Sequence, residues 1–338
     1  MITESRLDEL RRNAQPMQPD RGYYGLPLLK EPVWTWEVPT YFFVGGAAGA
    51  AAVVGAAAQV TGADRELVSD ARWIAAAGAA LSGPLLVGDL GRPERFLNML
   101  RVFKLQSPMS VGAWTLTAFG TFASAAVFAQ EMETRTNLPV RVIGDAAAML
   151  SAATGLAMAT YTGVLIGATT IPVWSKHVSL LPIHFGASAL SSAVSMLELL
   201  GHDEQALNIL GCAAAAFETF VGYRIERDRG SESDPLRRGS TGITTRIGGA
   251  FSGPMPLLLR IAGFRSKRFR NAAAASTLLG SLITRFAWIE AGKTSSRDLR
   301  VPLALDGRHA ASPRESIDRK STRLNSSHSS PSRMPSSA

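Results

Sequence analysis

Few side chains in this chain can do acid–base or electron-transfer chemistry, and most of those sit beside long uncharged runs. Residues 73–88 carry no charge, and they lead into Asp89-Leu90-Gly91-Arg92-Pro93-Glu94-Arg95-Phe96. An acid and arginines held at such a boundary are costly unless paired or used. Asp89 and Arg92 can pair across the turn that Pro93 enforces, or handle a proton there. Tyr161 lies within an uncharged run and presents a phenolic O–H that must find a partner when buried. Glu37, Tyr41 and Gly45 are four apart and share one helix face. His184, Ser188, Ser191, Ser195 and Glu198 follow the spacing of a single face and form a polar stripe about three turns long. A stripe with an ionisable group at each end suits either hydrogen bonding between helices or a proton route. Glu218, Arg260 and Arg285 are further charges within apolar stretches, and mutual pairing is their expected role.

These residues require membrane-length helices to position them. Residues 38–60, 105–130 and 146–175 contain no charged side chain, and 178–197 is interrupted only by His184. Each reaches the roughly 20 residues that cross a bilayer as a helix. Mean hydropathy is only +0.10, because the runs are rich in Ala and Gly and both ends of the chain are polar. Small residues let backbones approach closely in lipid, so Gly45 and Gly49 mark a contact surface in a packed bundle. The expectation is an all-α polytopic membrane bundle with about eight transmembrane helices. They fall near 38–60, 70–89, 108–130, 145–171, 179–200, 205–224, 250–264 and 271–291, and 224–246 is the longest internal loop. Around the transmembrane domain of 38–292 lie a polar segment at 1–37 and another at 293–320. Residues 321–338, where eight of eighteen are Ser, read as a disordered or non-native tail.

Composition excludes several classes. Cys212 is the sole cysteine, so there is no disulfide framework and no cysteine set for an iron–sulfur cluster or zinc. Of five histidines only His184 lies inside a span, whereas a two-haem b-type anchor needs four axial histidines. The expectation is therefore no haem and no metal bound by this chain. The net charge of +8 resides in loops, as in membrane proteins generally, and does not point to nucleic acid. Lys and Arg number sixteen in the segments on the N-terminal side against eight on the other, which predicts both termini in the cytoplasm.

The order of several short motifs resembles the NrfD/polysulfide reductase family of membrane-anchor subunits. The resemblance runs from about residue 32 to 298. It rests on Tyr41-Phe42-Phe43-Val44-Gly45-Gly46, on Asp89-Leu90-Gly91-Arg92-Pro93 with Arg95-Phe96, and on Ser107-Pro108-Met109-Ser110 with Gly112 and Trp114. Further on it rests on Tyr161-Thr162-Gly163-Val164-Leu165, on Pro172-Val173-Trp174, and on Arg285 with Ala291-Gly292. Leu299 stands where the family usually has proline.

The resemblance implies an integral, multi-pass subunit of the plasma (inner) membrane. It implies binding of a quinone (menaquinone or ubiquinone) and exchange of electrons with a four-cluster-type, ferredoxin-like iron–sulfur subunit that serves a molybdopterin catalytic subunit. It marks Tyr161 as a quinone contact, with Tyr41 and Glu37 as further quinone-site candidates. Asp89, Arg92, His184 and Glu198 are the proton-handling candidates, and no residue is catalytic alone. A secondary transporter or ion-conducting subunit would use the same buried charges, but it calls for inverted halves with broken helices. A purely structural anchor would lack the quinone site.

Overall fold

The computed structural model describes residues 29–89, 94–136, 139–263 and 266–298, so Arg92 and the 321–338 tail lie outside the described residues. No strand occurs among them. The helices are α1 (Glu37–Thr61), α2 (Arg65–Asp89), α3 (Arg95–Met99), α4 (Pro108–Thr136), α5 (Arg141–Gly167) and α6 (Pro172–Lys176). They continue with α7 (Leu180–Leu200), α8 (Gln205–Arg227), a 3₁₀ turn (Ser231–Leu236), α9 (Gly239–Ser252), α10 (Pro254–Ala262) and α11 (Lys267–Arg297).

Seven of these are long and apolar enough to cross a membrane: α1, α2, α4, α5, α7, α8 and α11. The helix expected at 250–264 is instead broken. Gly253 closes α9, and Pro254 opens α10 at a first position where its missing N–H costs nothing. The pair still makes one crossing. Gly248 lies against Thr284, Ser252 against Gly280 and Gly263 against Phe269, so α9 and α10 together run antiparallel to α11. Their combined length of about 36 Å exceeds the roughly 30 Å hydrocarbon core. The eighth crossing is thus present but discontinuous, and the loop expected at 224–246 is shortened because Gly239 to Arg246 is helical. Elsewhere helices run past the apolar limits, as α11 does to Arg297, because the backbone stays helical where charged residues leave the lipid.

Helix α1 is the centre of the bundle and touches α2, α5, α7 and α11. Glycine sets two of these approaches. A Cβ on Gly49 would lie 2.3 Å from the Gly155 carbonyl on α5, and one on Gly78 would lie 2.5 Å from Ala48. The small-residue surface of α1 is therefore a true helix contact. The helix stops at Gly62, whose φ of +71° returns its N–H to Ala58 and Gln59. Helices α2, α4 and α5 enclose one side of α1, and α7, α8, α9–α10 and α11 form the second half.

Polar contacts mark the two ends. On one, Arg297 pairs with Glu31, Thr35 bonds Asp89, and Trp174 Nε1 donates to the Trp288 carbonyl. On the other, Arg72 meets Asp145 at 2.7 Å, and His202 meets Asp70 at 2.9 Å. The first end carries residue 31, the 94–107 segment and the 227–239 segment together, which is the relative sidedness that the charge count predicts.

Candidate functional site

Helices α1, α2, α4 and α5 enclose an open-sided cavity of about 60 Å³ near the end that carries Asp89. Tyr41 and Tyr161 face it with Asp89, and Trp34, Phe42, Met109 and Leu165 complete the apolar wall. Tyr41 comes from the helix face shared with Glu37, and its hydroxyl lies 4.0 Å from the Met158 sulfur. Tyr161 reaches across from α5 and donates its hydroxyl proton to the Pro108 carbonyl in the first turn of α4.

Gly112 makes that reach possible. A Cβ there would fall 2.1 Å from the Tyr161 hydroxyl oxygen and 2.2 Å from its ring. Pro108 and Gly112 are one helical turn apart, so the acceptor and the space for the ring lie on one face of α4. Sequence reasoning names Gly112 only as part of a motif and gives it no task. The proline–glycine spacing of four was the available signal.

The acids are drawn together by a residue absent from the sequence expectations. Thr35 accommodates Asp89 through both its backbone N–H (3.2 Å) and its hydroxyl (3.0 Å). The same hydroxyl lies against a carboxylate oxygen of Glu37. Glu37 thus sits beside the cavity, joined to Asp89 through Thr35. Trp34 stacks on Trp174 with ring centroids 5.5 Å apart, which braces this wall against α6.

Two candidates lie elsewhere. His184 is in the second half of the bundle, with its ring near Phe185 and Trp288. Glu198 is at the far end of α7, paired to Arg260 at 2.6 Å, and both are almost wholly buried. Asn208 and Ser195 also meet that guanidinium. The polar stripe is therefore divided between partners: Ser188 bonds Ser281 at 2.6 Å, whereas Glu198 holds Arg260. This also corrects the expected mutual pairing of Glu218, Arg260 and Arg285. Arg285 donates to the Phe185 carbonyl and lies 3.8 Å over the Phe185 ring, and no ion pair joins it to Glu218. Spacing along one helix could not reveal these partners, because each comes from another helix some 60 to 100 residues away.

Among the described residues no group of three His, Cys, Asp or Glu side chains is arranged to hold a metal ion. The cavity offers two phenols, the Asp89 carboxylate and an aromatic wall, with Glu37 beside it, in a multi-pass helical membrane protein. Residues 28–204, just over half of the chain, match the family model described as Polysulphide reductase, NrfD. The chain belongs to that family, whose members are membrane subunits of molybdoenzyme complexes. No curated protein matches the chain. The match covers α1 to α7 and so includes every residue of the cavity.

Proposed function

We propose that this protein is the quinol-reactive membrane subunit of a molybdenum or tungsten oxidoreductase complex, and that the Tyr41–Tyr161–Asp89 cavity binds the quinol. The single observation that carries the reading is that cavity: an apolar slot between membrane helices, with the phenols of Tyr41 and Tyr161 and the carboxylate of Asp89 in its lining. Pockets for lipophilic ligands are of this kind, mostly apolar with a few convergent polar groups.

The hydrogen bond of Tyr161 favours the reduced ligand. Its proton is committed to the Pro108 carbonyl, which leaves the hydroxyl oxygen as an acceptor. A quinol O–H can donate to that oxygen, whereas a quinone carbonyl brings no proton to share. Asp89, and Glu37 through Thr35, then lie where protons would leave toward the end that carries the 94–107 segment. His184 and Glu198 take no part in this site. Electrons would pass to a ferredoxin-like iron–sulfur subunit at the same end, and from there to a molybdopterin subunit. The exposed Val102, Phe103 and Leu105 beside the cavity suit such a partner. Lipid surrounds the bundle, in the plasma membrane on this reading.

The transporter alternative is disfavoured because α9–α10 is the one broken crossing among the described residues, where inverted halves would give two. The test is binding of a short-chain quinol to the purified complex. Loss of the Tyr161 hydroxyl in Tyr161→Phe removes one neutral hydrogen bond of roughly 0.5–1.5 kcal/mol, so affinity should fall about two- to twelvefold. Unchanged affinity would move the ligand elsewhere.

A further inference from the structure

A second, larger cavity of about 330 Å³ opens between α8 and α9, with α7 and α11 at its back. It shares no residue with the Tyr161 cavity and lies mostly beyond the matched residues. At its inner end are Glu218 and His184, each almost wholly buried. No hydrogen bond of normal geometry reaches the Glu218 carboxylate, although the Ser188 and Ser252 hydroxyls stand beside it, and none reaches His184 Nδ1. Leaving such groups unsatisfied is expensive in a low-dielectric interior, so this inner end is built for something that supplies hydrogen bonds. Behind them Arg285 balances the carboxylate without touching it, and its Nε and Nη1 are also without a partner.

Glycine holds the cleft open. A Cβ on Gly222 of α8 or Gly249 of α9 would meet nothing within 4 Å. Tyr223, more than half exposed, stands at the rim. Toward the end that carries residue 31, the Arg246–Glu226 pair at 2.9 Å bridges α8 and α9. Both side chains of that pair are more than half exposed, so the mouth of the cleft lies at the protein surface between α8 and α9.

We propose that this cleft is a second binding pocket for a quinol, entered between α8 and α9. A buried carboxylate at its base disfavours a phospholipid phosphate and favours a neutral head that donates hydroxyl protons. Glu218 and His184 Nδ1 are two such acceptors, and Trp288 provides a flat wall. The pocket rests on the quinol reading above only for the identity of its ligand; binding alone is assigned to it, with no electron transfer.

The test uses the intact complex in native-like lipid, a quinol analogue carrying an aryl azide, and peptide mapping after illumination. The expected result is two labelled regions, one around Tyr161 and one on α8 and α9, both protected by excess unlabelled quinol. Gly222→Leu should abolish the α8–α9 label and leave the Tyr161 label intact. Glu218→Leu should weaken half-saturation of the α8–α9 label about tenfold. Label around Tyr161 alone would overturn the second pocket and leave the proposed function standing. Label on α8 and α9 alone would keep the pocket and overturn the first site, and label at neither would overturn both. Displacement of the α8–α9 label by phosphatidylglycerol as readily as by quinol would assign the cleft to a structural lipid and overturn the inference.

Discussion

Gly112→Ala adds one methyl group at the point where the structure leaves no room for it. The new Cβ would lie 2.1 Å from the Tyr161 hydroxyl oxygen and 2.3 Å from the nearer ring edge carbon. Optimal contact needs about 3.5 Å, so the ring must retreat by roughly 1.4 Å or α4 and α5 must part. Retreat breaks the bond to the Pro108 carbonyl, roughly 0.5–1.5 kcal/mol, and crowding adds about 1–3 kcal/mol. A misplacement near 1 Å at a reacting site costs roughly a hundredfold in rate. The assay is quinol-driven turnover of the complex, measured with thermal stability in detergent. Gly112→Ala should lower quinol-dependent kcat/KM by about a hundredfold and also lower Tm. In a Tyr161→Ala background the same change should have little further effect on either, because the ring it strikes is gone. Full activity of Gly112→Ala, or equal effects in both backgrounds, would refute the packing argument.

Other features give shorter tests. Glu198→Gln leaves Arg260 charged and buried without its carboxylate, and breaking such a pair costs about 3–5 kcal/mol; a large fall in Tm is expected, and an unchanged Tm would mean the pair is hydrated. His177, outside the spans, bonds Ser233 at 3.1 Å, and burial lowers its pKa below the usual histidine value. Its neutral form is the one that the fold favours, so the stability is present above the unfolded pKa of about 6.5 and is lost as pH falls below it. His177→Gln should flatten the Tm profile between pH 7 and 5, and an unaltered slope would exclude this group. Cysteines placed at Ser107 and Ser240 should be labelled from the same face of the membrane, and labelling from opposite faces would break the eight-crossing topology.

Legibility from sequence followed the physics of each element. Helices α1, α4, α5 and α7 were visible because lipid demands uncharged runs, and their lengths alone exclude most alternatives. The α9–α10 crossing was half hidden: Arg246 and the Thr- and Gly-rich start mask its first part, and Thr241, Ser252 and Arg260 are polar yet buried against neighbouring helices. Tyr161 and Tyr41 stood out because a phenol in an apolar helix requires a partner. Gly112 and Thr35 did not, because their roles exist only once α4 meets α5 and residue 35 meets Asp89. Arg260 was visible as a buried charge, but its partner Glu198 is 62 residues distant, and only the fold brings them together.

The central claim is that quinol reacts at the cavity between α1, α2, α4 and α5. Its most direct measurement is Tyr161→Phe in the intact complex, assayed in parallel with quinol and with an artificial donor that reduces the iron–sulfur partner directly. The account predicts that quinol-driven activity falls, by about two- to twelvefold if binding alone suffers and by roughly a hundredfold or more if the hydroxyl also relays a proton. Activity from the artificial donor should be preserved. Equal loss of both would make Tyr161 a structural residue, and no loss of either would contradict the claim.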